Sequence, residues 1–197
     1  MEFYETYGSD FSKSRFRIWP QVRDFVKALP TGAKVLDIGC GNGKNMGIRK
    51  DLQMIGFEQS STLCEICAKK GLEVVQGDAR SLPFPNNSFD AVIMIAVLHH
   101  LPPIEQRTVL FEIKRVLQSG GVAMITCWAV EQPPSARRKF VRGLNLVEWS
   151  GREELPLMYW VQDEADAKEL GRSLPHGLEC TSIVWNAGNW NHYLTKI

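Results

Sequence analysis

The sequence predicts one α/β domain built on a doubly wound, mostly parallel sheet that ends in an antiparallel hairpin. Three observations carry this. Residues 34–44 read KVLDIGCGNGK, a short apolar run leading through Asp37 into Gly39, Gly41 and Gly43. Apolar runs then alternate with helix-like stretches as far as Trp128, the pattern of repeated strand–helix–strand units. The last two runs, 178–185 and 190–197, flank Asn186-Ala187-Gly188-Asn189, a hairpin turn.

Composition sets the bounds. A chain of 197 residues fits one domain, and 44% hydrophobic with 23% charged residues is ordinary for a globular protein. No apolar run approaches the length of a membrane span. The start, MEFYETYGSD, lacks a basic and an apolar region, so no secretory signal is expected. Five scattered cysteines point to reduced thiols inside the cell rather than a disulfide framework. Net charge is +1, yet residues 11–50 hold nine Lys/Arg against Asp24 and Asp37. A second basic cluster is Arg137, Arg138, Lys139 and Arg142, whereas residues 151–170 hold six acids against two bases. That asymmetry suits an anionic substrate approaching one face, though ordinary solvated charge explains it about as well.

Residues 1–29 read as an N-terminal arm, irregular or partly helical over 3–17, and a helix from Trp19-Pro20 to about Leu29. Proline near the first turn costs that helix little. Strand one is 34–38, and a short helix over 44–50 follows. Strand two, 54–58, ends on Glu58. Ser60 or Ser61 caps a helix to Lys70, and strand three is 72–76. Ala91 to Val97 is an unbroken apolar run, the mark of a central parallel strand. A helix over 103–117 leads to strand five, 122–128. The stretch 129–155, with Pro133-Pro134 and few periodic residues, is expected as an insertion at the site mouth. A short strand at 157–162 and a helix at 163–174 precede the hairpin. Seven strands make the main sheet.

The glycine loop is a site for a nucleotide-type cofactor, because glycine allows positive φ and close approach to the backbone. It reads GCGNGK rather than GxGxxG, and the preceding Asp37 suits a ligand with a cationic end. Glu58 lies 21 residues beyond Asp37, the place of an acid that accepts from ribose hydroxyls. Asp78, after strand three, is a candidate adenine reader, with a turn residue as its rival. Cys64 and Cys67 form a CxxC at helical spacing without a second ligand pair, so packing is the better reading and no metal is expected.

These residues resemble a known family. Asp37 with its glycines, Glu58, Gly77-Asp78-Ala79 and Phe89-Asp90 are similar to the Rossmann-like core of class I S-adenosylmethionine (SAM)-dependent methyltransferases. Further stretches resemble the eukaryotic tRNA wobble-uridine carboxymethyl methyltransferases. Phe11-Ser12-Lys13-Ser14-Arg15 with Trp19-Pro20 is similar to HFSxTRxxPWP. Residues 37–44 match DIGCGNGK, 95–100 resemble IAVxHH and 127–132 resemble xWAxEQ. Leu146 to Trp149 resembles a VPW segment and Gly188-Asn189-Trp190 a terminal GNW. Glu58 stands where that family has Asp.

The resemblance implies methyl transfer from SAM, leaving S-adenosylhomocysteine, to the carboxylate of 5-carboxymethyluridine in the tRNA anticodon loop. It implies cofactor contacts at Asp37, Gly39, Gly41, Asn42, Gly43, Glu58, Asp78, Ala79 and Ile95. A carboxylate is already anionic near neutral pH. The site must therefore align, neutralise and exclude water rather than supply a strong base. His99, His100, Trp128 and Arg15 are the catalytic candidates: a histidine to donate, Trp128 to stack on a flipped base, Arg15 to pair with a carboxylate. Core packing is the competing role of Trp128, and a turn cap that of His99. Arg15, Arg137, Arg138 and Lys139 are candidate substrate contacts. The resemblance also implies a small zinc-binding activator subunit, expected on edge strand 72–76, and a cytoplasmic location with the nucleus as a second one. A small-molecule O-methyltransferase and a silent SAM-binding scaffold are the alternatives. An NAD-linked oxidoreductase is more distant, since it would want another glycine spacing.

Overall fold

Runs of apolar residues become the middle of one sheet, with successive side chains sent to opposite faces. In the computed structural model, residues 2–149 and 152–197 are described. Met1 of the expected arm, and Ser150 and Gly151 of the expected insertion, lie outside the described residues. The strands are Lys34–Ile38 (β1), Gln53–Glu58 (β2), Val74–Gln76 (β3), Phe89–Ile95 (β4), Leu117–Trp128 (β5), Gly143–Trp149 (β6), Arg152–Val161 (β7), Leu178–Asn186 (β8) and Asn189–Lys196 (β9). The helices are Glu2–Ser14 (α1), Pro20–Ala28 (α2), Ser61–Lys69 (α3), Pro103–Val116 (α4) and Glu164–Arg172 (α5). No described helix is long and apolar enough to cross a membrane.

The seven-stranded sheet runs β3-β2-β1-β4-β5-β9-β8. Its first five strands are parallel, and β9 and β8 are antiparallel, as expected. Alternation along the strands builds the two cores. Val35, Ile93 and Met124 pack with Val22 and Val26 of α2 on one face. Leu36, Val92 and Ile125 pack with Val109, Leu110 and Ile113 of α4 on the other. Chain order reverses between β1 and β4, which opens a crevice at the carboxyl ends of those strands.

Three local findings go beyond the sequence reading. The arm is a full thirteen-residue helix, α1. Phe3, Tyr7 and Phe11 recur at helical spacing, and with Tyr4 they pack against Val147, Trp149, Leu157 and Tyr159. The opposite side of α1 lies on α3, where Gly8 lets the helices approach: a Cβ there would stand 3.0 Å from Thr62 Cγ2. Glu5 reaches across and accepts from the Ser61 backbone N–H and hydroxyl, at 2.8 and 2.7 Å, at the start of α3.

Second, the stretch 129–155 is not irregular throughout. It supplies β6, which pairs antiparallel with β7 in a separate two-stranded sheet. Val147, Trp149, Leu157, Tyr159 and Val161 form its buried face, and Leu144, Leu146 and Met158 its exposed one.

Third, the WAVEQ and GNW stretches hold each other. Glu131 accepts from the Trp190 indole N–H at 3.1 Å and from the Glu164 backbone N–H at 3.1 Å. Gln132 donates to the carbonyls of Ala129 and Gly188. These residues join the end of β5 to the hairpin turn and to the start of α5.

Candidate active site

The crevice holds a cavity of about 410 Å³. Its floor begins with the glycine loop, folded onto β2 by Gly39 and Cys40 N–H groups that donate to Phe57 O at 2.7 and 3.2 Å. Gly39 (φ 67°) has no room for a side chain, since a Cβ would stand 2.4 Å from Val97 Cγ2. Gly41 (φ 58°) has open space in front of it, so its backbone is free to face a ligand.

Glu58 is buried at the end of β2. Its Oε2 accepts from Gly41 N–H at 2.9 Å and its Oε1 from Gln59 and Ser60 N–H at 2.9 and 3.0 Å. Burial raises its pKa, and these three bonds oppose the rise. The carboxylate is thus fixed in place while keeping lone pairs for a diol. Asp37 sits behind the loop, fully buried, and is not on the cavity wall. Neither of its oxygens has a hydrogen-bond partner among the described residues. Burial pushes its pKa up to about 7, with Asn45 opposing short of a well-formed hydrogen bond, Glu58 adding to the rise and Lys44 countering. An unpartnered buried acid next to an open loop is what a cationic ligand end would complete.

The other expected cofactor residues divide. Ala79 and Ile95 line the cavity. Asp78 lines it too, but its carboxylate is held by Arg80, which also pairs with Glu105. The Arg80 guanidinium keeps the Asp78 pKa below its usual range. Asn42 lines the cavity, yet its amide donates to the Ser12 and Arg15 carbonyls at 3.1 Å and so tethers the arm. Gly43 is buried beneath, against Leu72 and Cys67, and is not on the wall.

At the far end stand His99, His100 and Trp128, all on the wall. A short 3-10 turn over Leu98–His100 follows β4. Just before it, Ala96 takes φ 58°, held by N–H bonds to Thr126 O and Oγ1 at 3.2 and 2.8 Å. The Trp128 N–H donates to His99 Nδ1 at 3.4 Å, while the buried His99 Nε2 has no partner among the described residues. His100 Nε2 is hydrogen-bonded to the Tyr4 hydroxyl at 3.2 Å. Burial lowers both imidazoles, His99 well below its usual value and His100 to about 4, so both are neutral at physiological pH. With Nδ1 accepting, the His99 proton belongs on Nε2. The Tyr159 ring lies edge-on to both histidines at 4.8 Å and tilted against Trp128 at 5.6 Å.

Arg15 lines the mouth, its guanidinium 4.8 Å from the Phe11 ring centre. Arg17 and Lys44 join it there. None of the three has a carboxylate within ion-pair distance among the described residues. The cluster of Arg137, Arg138 and Lys139 is not on the cavity wall, and Arg138 donates to the Glu148 carbonyl at 2.8 Å. Arg142 is paired with Asp163 and Asp166. Tyr4 and Tyr159 join the wall from outside the motifs read in the sequence, and Trp19 and Lys44 from within them. The aromatic stripe of α1 and the alternation of β7 were the signals that pointed to the first two. No group of His, Cys, Asp or Glu side chains fit to hold a metal occurs among the described residues.

Residues 36–125 match the family described as Methyltransferase domain. The chain superposes on a methyltransferase of Haloferax volcanii, solved in complex with the Trm112 methyltransferase activator, with a TM-score of 0.72 and 16% identity over 99% of this chain and 96% of that one. Residues 36–125 thus carry a methyltransferase domain, and the fold is that of the class I SAM-dependent methyltransferases. The chain is 44% identical to mouse tRNA (carboxymethyluridine(34)-5-O)-methyltransferase ALKBH8, over 74% of its own length and 22% of the mouse protein. It is 35% identical to the Saccharomyces cerevisiae tRNA (carboxymethyluridine(34)-5-O)-methyltransferase, over 87% of its length and 60% of the yeast protein. The chain thus spans about a fifth of one relative and 60% of the other.

Proposed function

We propose that this chain methylates the carboxylate of 5-carboxymethyluridine at the wobble position of a tRNA anticodon loop. The observation that carries the reading is one cavity that joins an acid-tipped glycine loop to a neutral His/Trp/Tyr wall, with uncompensated cations at the mouth. The similarity to enzymes named for that reaction supports it.

The loop fits SAM, which supplies an electrophilic methyl group on a sulfonium. Glu58 would take the ribose hydroxyls and Asp78 the adenine edge. Asp37, behind Gly39 and Gly41, would balance the ammonium end. Ala79 and Ile95 would pack on the ring system. On the substrate side, Trp128 and Tyr159 would flank the extruded base. His99, holding its proton on Nε2, would donate to one carboxylate oxygen and leave the other to accept the methyl group. No proton needs to leave the substrate, which suits two histidines held neutral by burial. Arg15 would neutralise the incoming anion, an interaction made stronger where water is excluded. Arg137, Arg138 and Lys139, outside the cavity, would meet phosphates of the stem.

β3 is one of the two edge strands of the sheet, with Val74 and Val75 half-buried, and its outer backbone groups would accept a strand from a small zinc-binding activator. The Haloferax methyltransferase of similar fold supports such a partner. The working place would be the cytoplasm, with the nucleus as a second site.

The test is transfer from labelled SAM to tRNA carrying 5-carboxymethyluridine, with and without the activator. Alkali-labile label on that nucleoside is the expected product. His99→Ala should lower kcat about a hundredfold while SAM affinity stays within a few-fold. SAM binding without label on tRNA under either condition would overturn the substrate assignment.

A further inference from the structure

Phe16 is 71% exposed, the most exposed aromatic ring among the described residues, yet it lines the same cavity as the catalytic candidates. It lies in the extended segment between α1 and α2, outside any helix or strand. That segment is anchored at both ends. The Asn42 amide holds the carbonyls of Ser12 and Arg15, and Trp19 precedes α2 with the Lys44 ammonium 5.7 Å from its ring centre. The exposed ring is therefore presented from a fixed backbone. The Arg17 guanidinium stands 5.8 Å from the Phe16 ring centre, whereas Arg15, the preceding residue, holds its guanidinium over the Phe11 ring. An apolar flat face with an unneutralised guanidinium beside it matches a ligand with a π-face and an adjoining phosphate, which is a nucleotide of a single strand.

A base that enters the cavity draws its neighbours to the mouth and strips them of a stacking partner. We infer that Phe16 is the stacking platform for the base next to the methylated nucleotide, with Arg17 gripping the adjoining phosphate. This rests on the reading of a tRNA loop as substrate and adds to it how the loop is held. It separates the placing of the loop from the chemistry: Phe16 acts on how well the loop binds, whereas His99 acts on the methyl transfer.

The experiment uses the chain with its activator and a synthetic anticodon stem–loop carrying 5-carboxymethyluridine. Phe16→Ala should raise the KM for the stem–loop about tenfold, with kcat and SAM affinity within twofold of the parent. Phe16→Trp should keep KM near the parent value, since it restores a flat ring. An abasic residue on the stacked side of the target should raise the parent KM by a similar factor, and Phe16→Ala should add no further loss on that substrate. The platform is overturned by an unchanged KM in Phe16→Ala, by equal impairment of the Ala and Trp variants, or by losses that multiply with the abasic one. A parent protein that binds SAM but methylates no stem–loop overturns the proposed function itself, and the platform with it.

Discussion

Asp37 shows how one residue ties folding to ligand binding. Its carboxyl is fully buried without a hydrogen-bond partner, and its pKa is pushed up to about 7. The folded free protein thus favours the protonated acid more than the unfolded chain does. Its contribution to stability is complete below the ordinary carboxylate range and is lost as pH rises through about 7. A cationic ligand end reverses the preference and favours the carboxylate. SAM binding at pH 6.5 should therefore release most of one proton, read by calorimetry in buffers of different ionisation heat. SAM affinity should weaken as pH falls below 7, by up to about tenfold per unit. In Asp37→Asn both effects should vanish. Proton uptake on binding, or an unchanged pH profile in the variant, would separate Asp37 from the ligand.

Elements are joined through α1. Its aromatic stripe covers the buried face of the β6–β7 hairpin, and Gly8 and Glu5 seat it on α3. The Glu5 carboxylate acts as an N-terminal cap supplied from another helix, where it also meets the positive end of the α3 dipole. The Ser61 contacts hold its pKa below the usual range, so this stabilisation persists at neutral pH and is lost only as pH falls through that lowered value. Glu5→Ala should cost about 1 kcal/mol by denaturant unfolding, with Glu5→Gln closer to the parent. Because Tyr4 lies beside it and is bonded to His100, the same variant should also lower methyl transfer. A loss of stability without any effect on transfer would show that α1 does not govern the histidines.

For the whole molecule, charge is spread by position rather than by sum. A net charge of +1 hides Arg15, Arg17 and Lys44 at the cavity mouth and Arg137 and Lys139 on the outer surface. If the outer pair meets phosphates, replacing both with Ala should reduce the slope of log affinity for tRNA against log salt by about 2. It should leave kcat at saturating tRNA near the parent value. An unchanged slope would make them ordinary solvated charge.

The apolar runs of β1, β2, β4 and β5 and the terminal hairpin are legible in the chain, because strand formation and the burial of both sheet faces show in residues close in sequence. Glycine at 39 and 41 and the acid at 58 are legible for the same reason: a tight turn after a strand is a local event. The arm reads only as irregular or partly helical, and its full helix α1 is settled by packing, since the spacing of Phe3, Tyr7 and Phe11 becomes a buried stripe once a surface exists to cover. The same holds for the partition of roles. Asp37, expected as a cofactor contact, lies behind the cavity wall, Asn42 turns its amide to the arm, and the basic run at 137–139 stays outside the cavity. Sequence by itself determined the sheet, its order of strands and helices, and the place of the cofactor loop. Tertiary structure alone decided that Tyr4 from one end of the chain and Tyr159 from near the other close on His99 and His100. Those contacts depend on packing between segments far apart in sequence, and no local pattern of residues records which of them will meet.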